Sequence, residues 1–490
     1  MKRYLSSFFS FLKNKKFPSR EDLKNLSDSP FSLTKFFTFV VFVICIGLIL
    51  NLLLTLSNKL TVEIPERGGE ISQGVIGSPR FINPLLATSQ TDLYLTKIIF
   101  APLVNIDSDG NLKPVIAKEC IEDPRDKNID CTVLDGLVFS NKTPLTTSDI
   151  LFTFQTKKSL ALKKDPASSW ANISVEILSS NTLRFRTTSS FDDLKNKLSL
   201  GIIPKTLWEN IPIDSFEDSY LNIEPVGSGA FKLSHISYKD SLPSEIVLVP
   251  NRHFPEQRAF VEKFIFKIYT NQLSLLSALK NNDINSTSSL DTKLIDQSIV
   301  SDFNIQKTLS KNEVALWINK ADAQNLGVQK LSYIGNLVDR NQIIDNIENG
   351  YGIPLFSKDS PRSDLASKIT LSSPIPIAVQ KDDDLIKTAE ILSKILESFG
   401  IMTTVQVFDQ GLFIDQVQQG KYSFILASSQ EPIGGYQHLI PLYTKPFVQI
   451  FTKDISVTQA KEITAPEEIF EQANLWYART DKVWKWFINN

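Results

Sequence analysis

Three cysteines, three histidines and one acidic triplet are the first places to seek chemistry in this 490-residue chain. The histidines (His235, His253, His438) are scattered, and the cysteines (Cys45, Cys120, Cys131) do not join them at metal-ligand spacing, so no metal site and no cofactor are expected. No nucleophile elbow, P-loop, H-E-x-x-H or G-x-G-x-x-G occurs, and the sequence is read as that of a protein that is not an enzyme. Gly227-Ser228-Gly229 is a G-x-G whose glycines suit a tight turn better than a ligand contact. Asp382-Asp383-Asp384 opens an amphipathic helix and reads as a solvated first turn favoured by the helix dipole. Cys120 and Cys131 flank a polar stretch containing Asp123-Pro124, a hairpin tip that would make them near cross-strand neighbours. A disulfide is expected there in an oxidising compartment, with two separate thiols as the alternative.

With 42% hydrophobic and 22% charged residues the chain has neither a disordered nor a fibrous composition, and its length allows two to four domains by the rule of roughly 100–200 residues each. A net charge of −2 and a pI near 6.1 are not a nucleic-acid footprint. The charge is uneven, because residues 1–35 carry eight Lys/Arg against three acids, a balance of +5 that leaves −7 for the remainder. Between the two parts, residues 36–56 form a charge-free run of 21. As a helix it would be about 31 Å long, enough to cross a hydrocarbon core of about 30 Å. The run is too long for a cleaved signal peptide, and Cys45 lies mid-run rather than at a lipidation site. An uncleaved anchor is expected, with residues 1–35 cytoplasmic because basic flanks stay inside, 57–67 a short tether, and the rest extracytoplasmic.

Beyond the tether, short β-branched or aromatic runs alternate with helical patterns. Strands are predicted at 71–76, 131–139, 174–178, 182–187, 246–249, 264–269, 314–318, 375–379, 403–408 and 422–427. Helices are predicted over 144–160, capped by Thr147 or Ser148, and over 382–399, ended by Gly400. Polar stretches 281–293 and 357–373 read as loops, the first as a hinge between lobes. The class is α/β with more than one sheet.

Several segments, in order, resemble the extracytoplasmic solute-binding proteins of peptide and oligopeptide ABC transporters. Gly68-Gly69-Glu70 with the Asn83-Pro84 step resembles the family's opening, and Asp107–Ala117 its "d-x-d-G-x-l-x-P-x-l-A" passage. Val138–Phe152 resembles "v-k-f-x-d-G-x-P-l-T-a-x-D-v-x-f", and Pro225–Phe231 resembles "p-v-G-t-G-p-y". Val338–Ile344 resembles "a-i-d-R-x-x-i" and Ile440–Tyr443 the late "x-P-l-y" strand. The likeness covers about residues 66–490, and the apolar run makes the whole similar to membrane-anchored members.

The resemblance implies a two-lobe periplasmic-binding-protein-like (Venus-flytrap) clamp preceded by the transmembrane helix. Lobe one would span 68–299 with an inserted subdomain at about 106–200, lobe two 300–440, and 441–490 would return to lobe one. It implies a monomeric receptor at the cell membrane that binds peptides in the cleft and passes them to an ABC permease. Carried over by position, the ligand-flanking residues are Thr88, Ser89 and Gln90 on one side and Ser429, Gln430 and Glu431 on the other, with Glu431 answering a free amine. Trp170 and Trp317 are further aromatic candidates, each with core packing as the alternative. The sequence departs from its relatives where Glu431-Pro432 passes almost at once to Ile440, so lobe two is shortened. That departure leaves open a degenerate clamp acting as an anchored sensor or interaction protein, or a non-peptide solute.

Overall fold

The structure is a computed structural model that describes residues 39–49, 51, 61–107, 109–310, 313–322, 335, 338–355, 374–429, 433–457, 462–463 and 465–484. The chain divides into two units, residues 1–64 with 480–490, and residues 65–479. In the first, residues 39–49 are helical, with Phe39, Phe42 and Leu48 exposed, and strands Thr61–Pro65 and Thr480–Trp484 pair. Residues 36–38, 50 and 52–56 of the expected anchor lie outside the described residues. Among the described residues no helix is long and apolar enough to cross a membrane.

Among its described residues the second unit has three sheets of four or more strands and a two-stranded one, Val104–Ile106 with Leu112–Pro114. The largest runs Glu462–Ile463, Phe303–Ser310, Phe447–Thr452, Ser286–Thr287, Glu70–Ile76, Lys263–Tyr269, Leu242–Pro250, Phe231–Lys239. Glu70–Ile76 pairs in parallel with both neighbours, and five consecutive residues of its EISQGVI are buried. Both faces of a parallel region are covered, so such a strand reads as a continuous rather than an alternating run. One face carries helix α1 (Gln90–Ile99) and Phe264, Phe470 and Trp476; the other carries Leu275, Leu279 and Ile299.

A six-stranded sheet follows the order Ile353–Pro354, Tyr436–Thr444, Glu313–Asn319, Phe424–Ser429, Ile375–Gln380, Thr403–Phe408. Glu313–Asn319 again has five buried residues in succession, packed on one side by Leu392 and Leu396 of a long amphipathic helix, α4 (Asp383–Ser398). That helix is capped by Asp382 and ends before Gly400, whose φ of +85° is the left-handed turn that glycine adopts freely.

The third sheet is the insert, ordered Ala117–Asp123, Asn128–Val133, Thr182–Thr187, Ile173–Ile177 and covered by α2 (Thr147–Lys164). Cys120 and Cys131 are directly opposed on its first two strands, and their sulfurs are bonded at 1.99 Å. The helix is capped by Thr146 rather than by Thr147 or Ser148. The reason is Asp149, whose carboxylate accepts from the Thr146 N–H and hydroxyl, both at 2.8 Å, while its other oxygen accepts from Lys205 N–H at 2.8 Å. The quoted "P-l-T-a-x-D" segment thus starts a helix and clamps the chain where it leaves the insert.

The chain passes from the large sheet to the six-stranded one between Ser310 and Glu313 and returns between Thr444 and Phe447, later than the expected 300 and 441. Residues 281–293 are not a hinge. Ser286 and Thr287, fully buried, form a short strand inside the large sheet, and the Thr287 hydroxyl donates to Gly74 O at 2.9 Å. Residues 357–373 lie outside the described residues.

Candidate functional site

The start of α1 is held by its own sequence. Thr91 donates to Ile76 O and Gly77 O at 3.1 and 2.9 Å, and buried Asp92 accepts from Arg80 N–H and Phe81 N–H at 2.8 and 3.0 Å. Asn83 accepts from Leu85 N–H at 2.9 Å and bonds Asn222 across the turn at 3.0 Å, fixing the Asn-Pro step. These bonds leave Thr88, Ser89 and Gln90 exposed at the head of the helix, with Ser89 accepting from Asp92 N–H. Its hydroxyl is therefore a cap as well as a surface group.

The other candidates sit on different elements. Trp170 is on the insert, its ring 6.1 Å from Phe154 with the Lys197 ammonium 5.2 Å above it, and it lines two cavities, one of them bounded by Pro84, Lys97, Gly201, Glu467 and Glu468. Trp317 is 5% exposed, packed with Phe413, Tyr422 and Tyr436 on one face of the six-stranded sheet. That places it in the interior of its sheet, not at an open surface. Ser429 ends Phe424–Ser429 opposite Glu313. Gln430 and Glu431 lie outside the described residues. Thr88–Gln90, Trp170 and Ser429 are thus on the large-sheet, insert and six-stranded parts respectively.

Gly227 and Gly229 have a packing role. A Cβ on Gly227 would fall 2.1 Å from Ile99 O and one on Gly229 2.4 Å from Ile98 O, so the end of α1 can be crossed only by glycine.

Sequence reasoning missed a cluster beside the two crossings. Thr444 donates to Ser310 O at 2.8 Å, joining the outgoing and returning strands. The next residue, Lys445, reaches Asp384 at 2.6 Å and Glu348 at 2.8 Å; Lys293, on the large-sheet side, reaches the second oxygen of Asp384 at 2.6 Å. Thr292 donates to Glu348 at 3.2 Å, and Asn349 to Ile295 O at 3.1 Å. Two elements of one lobe, α3 (Arg340–Glu348) and α4, are therefore tied to residues 292–295 of the other. Burial pulls the Lys445 ammonium down, but the hydrogen bonds and charges of Asp384 and Glu348 outweigh it and hold the pKa above the ordinary lysine value. Burial pushes Asp384 up, and Lys293 and Lys445 more than reverse that, holding its carboxyl below the ordinary value. Burial pushes Tyr443, beside them, up to about 12. Asp384 is thus no mere solvated first turn; its partner 61 residues onward gave no local signal.

A chemically reactive constellation is not found in this set, and among the described residues no group of three His, Cys, Asp or Glu side chains is placed to hold a metal. What the arrangement offers is two lobes joined by two adjacent strands with a charged lock beside them. The model of the bacterial extracellular solute-binding proteins, family 5 (middle), matches residues 111–371. The chain belongs to that family. As a family 5 solute-binding protein it falls in a class defined by binding rather than by catalysis.

Its curated relative, the oligopeptide-binding protein AppA of Bacillus subtilis, is 24% identical over 311 residues, 63% of this chain and 56% of AppA. The match thus spans little more than half of that relative's length. Among solved structures, the substrate-binding protein CtaP of Listeria monocytogenes superposes with a TM-score of 0.65 at 18% identity, covering 84% of this chain and 100% of CtaP. AppA of Bacillus subtilis with a nonapeptide gives 0.55 at 17%, covering 84% and 99%. NikZ of Campylobacter jejuni with Ni(L-His) gives 0.56 at 17%, covering 83% and 99%. These likenesses establish the two-lobe α/β fold of periplasmic binding proteins for this family 5 chain.

Proposed function

We propose that this protein is a membrane-anchored extracytoplasmic receptor that binds peptides between its lobes and delivers them to an ABC permease. The family membership carries the reading, since the matched segment, residues 111–371, takes in the insert, most of the large sheet and the first strands of the six-stranded sheet. The two adjacent crossings support it: lobes joined by two strands can open and close by small dihedral changes there, so that ligand selects the closed state. Thr88, Ser89, Gln90 and Trp170 would flank the ligand from one side and Ser429, Gln430 and Glu431 from the other. An extended peptide satisfies its backbone against protein backbone while hydrated pockets accept varied side chains, which suits exposed, small polar residues such as the first three. Anchoring draws support from the charge-free run of 21 residues behind a +5 segment, and from the apolar side chains left exposed along 39–49.

Thermal unfolding of the full chain in neutral nanodiscs, with and without pools of short peptides, tests this. A ligand that binds only the folded state at a hundred times its Kd adds about 2.7 kcal/mol. A melting temperature unmoved by every pool would overturn peptide binding. One observation favours a second reading, a clamp specialised for a non-peptide solute or for sensing: only residues 430–435 separate Ser429 from the returning strand Tyr436–Thr444. Stabilisation by a small metal chelate but by no peptide would favour it.

A further inference from the structure

A pocket on lobe one is ringed by cations that nothing in the ligand-binding reading uses. Arg67, Lys142, Lys232, Arg252 and Arg258 line it together with His253, and Glu262 is its one acid, in a cavity of about 760 Å³. Among the described residues none of the five cations has an ion-pair partner. They stand in contrast to Lys97, Lys195, Lys197, Lys293 and Lys445, all of which do. Arg479 adds a sixth positive charge nearby, its guanidinium lying 2.9 Å from where a Gly68 side chain would begin.

The pocket floor is built rather than incidental. Asn251, 2% exposed, donates to Gly229 O at 2.9 Å and accepts from His253 N–H at 3.1 Å, which fixes the turn carrying Arg252. Ser140 N–H donates to Gly227 O at 2.8 Å, and Lys142 follows with a φ of +71° in a turn closed by its own N–H to Phe139 O. Buried Ala259 and Val261 complete the base. Arg67, Lys142, Arg252 and Arg258 are exposed and Lys232 half-buried, so water screens their mutual repulsion in part, and an anion in the hollow relieves the rest.

The chain itself says which anion is at hand. Arg67 is 11 residues beyond Leu56, the end of the apolar run, so it is tethered within about 40 Å of the end of that run even at full extension. We propose that this pocket takes the phosphate of an anionic phospholipid headgroup, holding lobe one against the membrane surface; the proposal rests on the anchored reading above. Polybasic groups next to an anchor gain from anionic lipid and lose that gain with salt over a Debye length of roughly 8–10 Å.

The test compares the full chain in nanodiscs of phosphatidylcholine with the chain in discs containing phosphatidylglycerol, following amide hydrogen exchange of residues 249–262. Exchange slowed roughly fivefold or more by phosphatidylglycerol at low salt is expected, with the effect lost in Arg252→Glu/Arg258→Glu and retained in Lys118→Glu/Arg125→Glu, an equal charge change on the insert. Equal exchange in the two discs overturns the proposal, as does equal protection in both variants. Protection by inorganic phosphate in phosphatidylcholine discs as large as that by phosphatidylglycerol also overturns it, assigning the pocket to a free oxyanion. Failure of anchoring is read separately: a chain extracted from discs by carbonate has lost its anchor, and if it still floats with phosphatidylglycerol vesicles through Arg252 and Arg258 the pocket stands without it. A chain that does neither overturns both.

Discussion

Lys445 Nζ lies 2.6 Å from Asp384 Oδ2, a bond between the segment that returns from lobe two and the first turn of α4, with Lys293 of lobe one on the other oxygen of the same carboxylate. One aspartate therefore receives a cation from the crossing and a cation from the opposite lobe. Asp384→Asn removes the charge but keeps the shape. The lysines are 43–44% exposed, so solvent screening limits the effect to about 1–2 kcal/mol. Lys445→Met should cost a similar amount, and the double variant less than the two together, because they share one bond. Urea unfolding of the four proteins measures this. Additive losses would show that the pair is not coupled.

The same carboxylate sets a pH dependence. Its pKa is depressed in the folded protein relative to about 3.9 in the unfolded chain, so its stabilisation is complete above that value and is lost as the pH falls through the folded pKa. Lys445 is raised, so its contribution is complete below about 10.4 and fades only in strong alkali. The unfolding free-energy difference between wild type and Asp384→Asn should be flat from about pH 5 to 8 and shrink below about pH 4. A difference that stays constant to pH 2.5 would contradict the assignment.

Those bonds also show why part of the site was illegible. Asp384 reads as a solvated helix start because the residues that follow it are helix and the one two before it, Asp382, is the cap; its partners lie 91 residues before and 61 after. Strands 71–76 and 314–318 are each buried on both faces along five consecutive residues; VALWI is legible as an apolar run, while ISQGVI is legible through its flanking Ile71, Val75 and Ile76 despite Ser72 and Gln73. Phe303–Ser310 was not, since FNIQKTLS alternates polar groups on a sheet edge region. Residues 281–293 read as a hinge from their polarity, yet backbone pairing on both sides of Ser286–Thr287 satisfies small hydroxyl residues in the interior. The glycines of 227–229 were correctly legible as backbone devices, but the carbonyls that demand them, at the end of α1, are visible only in three dimensions.

Two of the quoted motifs meet physically. Arg340, 3% exposed, donates to Pro441 O from Nε at 3.0 Å and from Nη2 at 2.7 Å, and to Val338 O at 3.0 Å, so "d-R" and "P-l-y" form one joint in lobe two. Arg340→Met should cost about 2–4 kcal/mol by leaving buried carbonyls unpaired. Arg340→Lys should recover little, since an ammonium lacks the fork that reaches both. Chemical denaturation would settle the size; a lysine variant as stable as wild type would refute the joint.

The insert carries its own staple. Cys120 and Cys131 close a hairpin 11 residues apart in sequence, with Cys131 fully buried against Ile129, Leu183 and Phe185. In the chain-entropy account, opening so short a loop costs about 2–3 kcal/mol. Cys120 sits at the partly exposed edge, so Cys120→Ser with Cys131→Ala changes little packing and isolates the crosslink. The double variant should unfold at lower urea with the loss concentrated in residues 117–187, read by hydrogen exchange of that sheet, while exchange in the six-stranded sheet stays unchanged. Reduction of wild type should reproduce the loss, and should have no further effect on the variant, because no other cysteine among the described residues but Cys45 remains. Uniform destabilisation of both sheets would instead mean that the insert unfolds only together with the lobes.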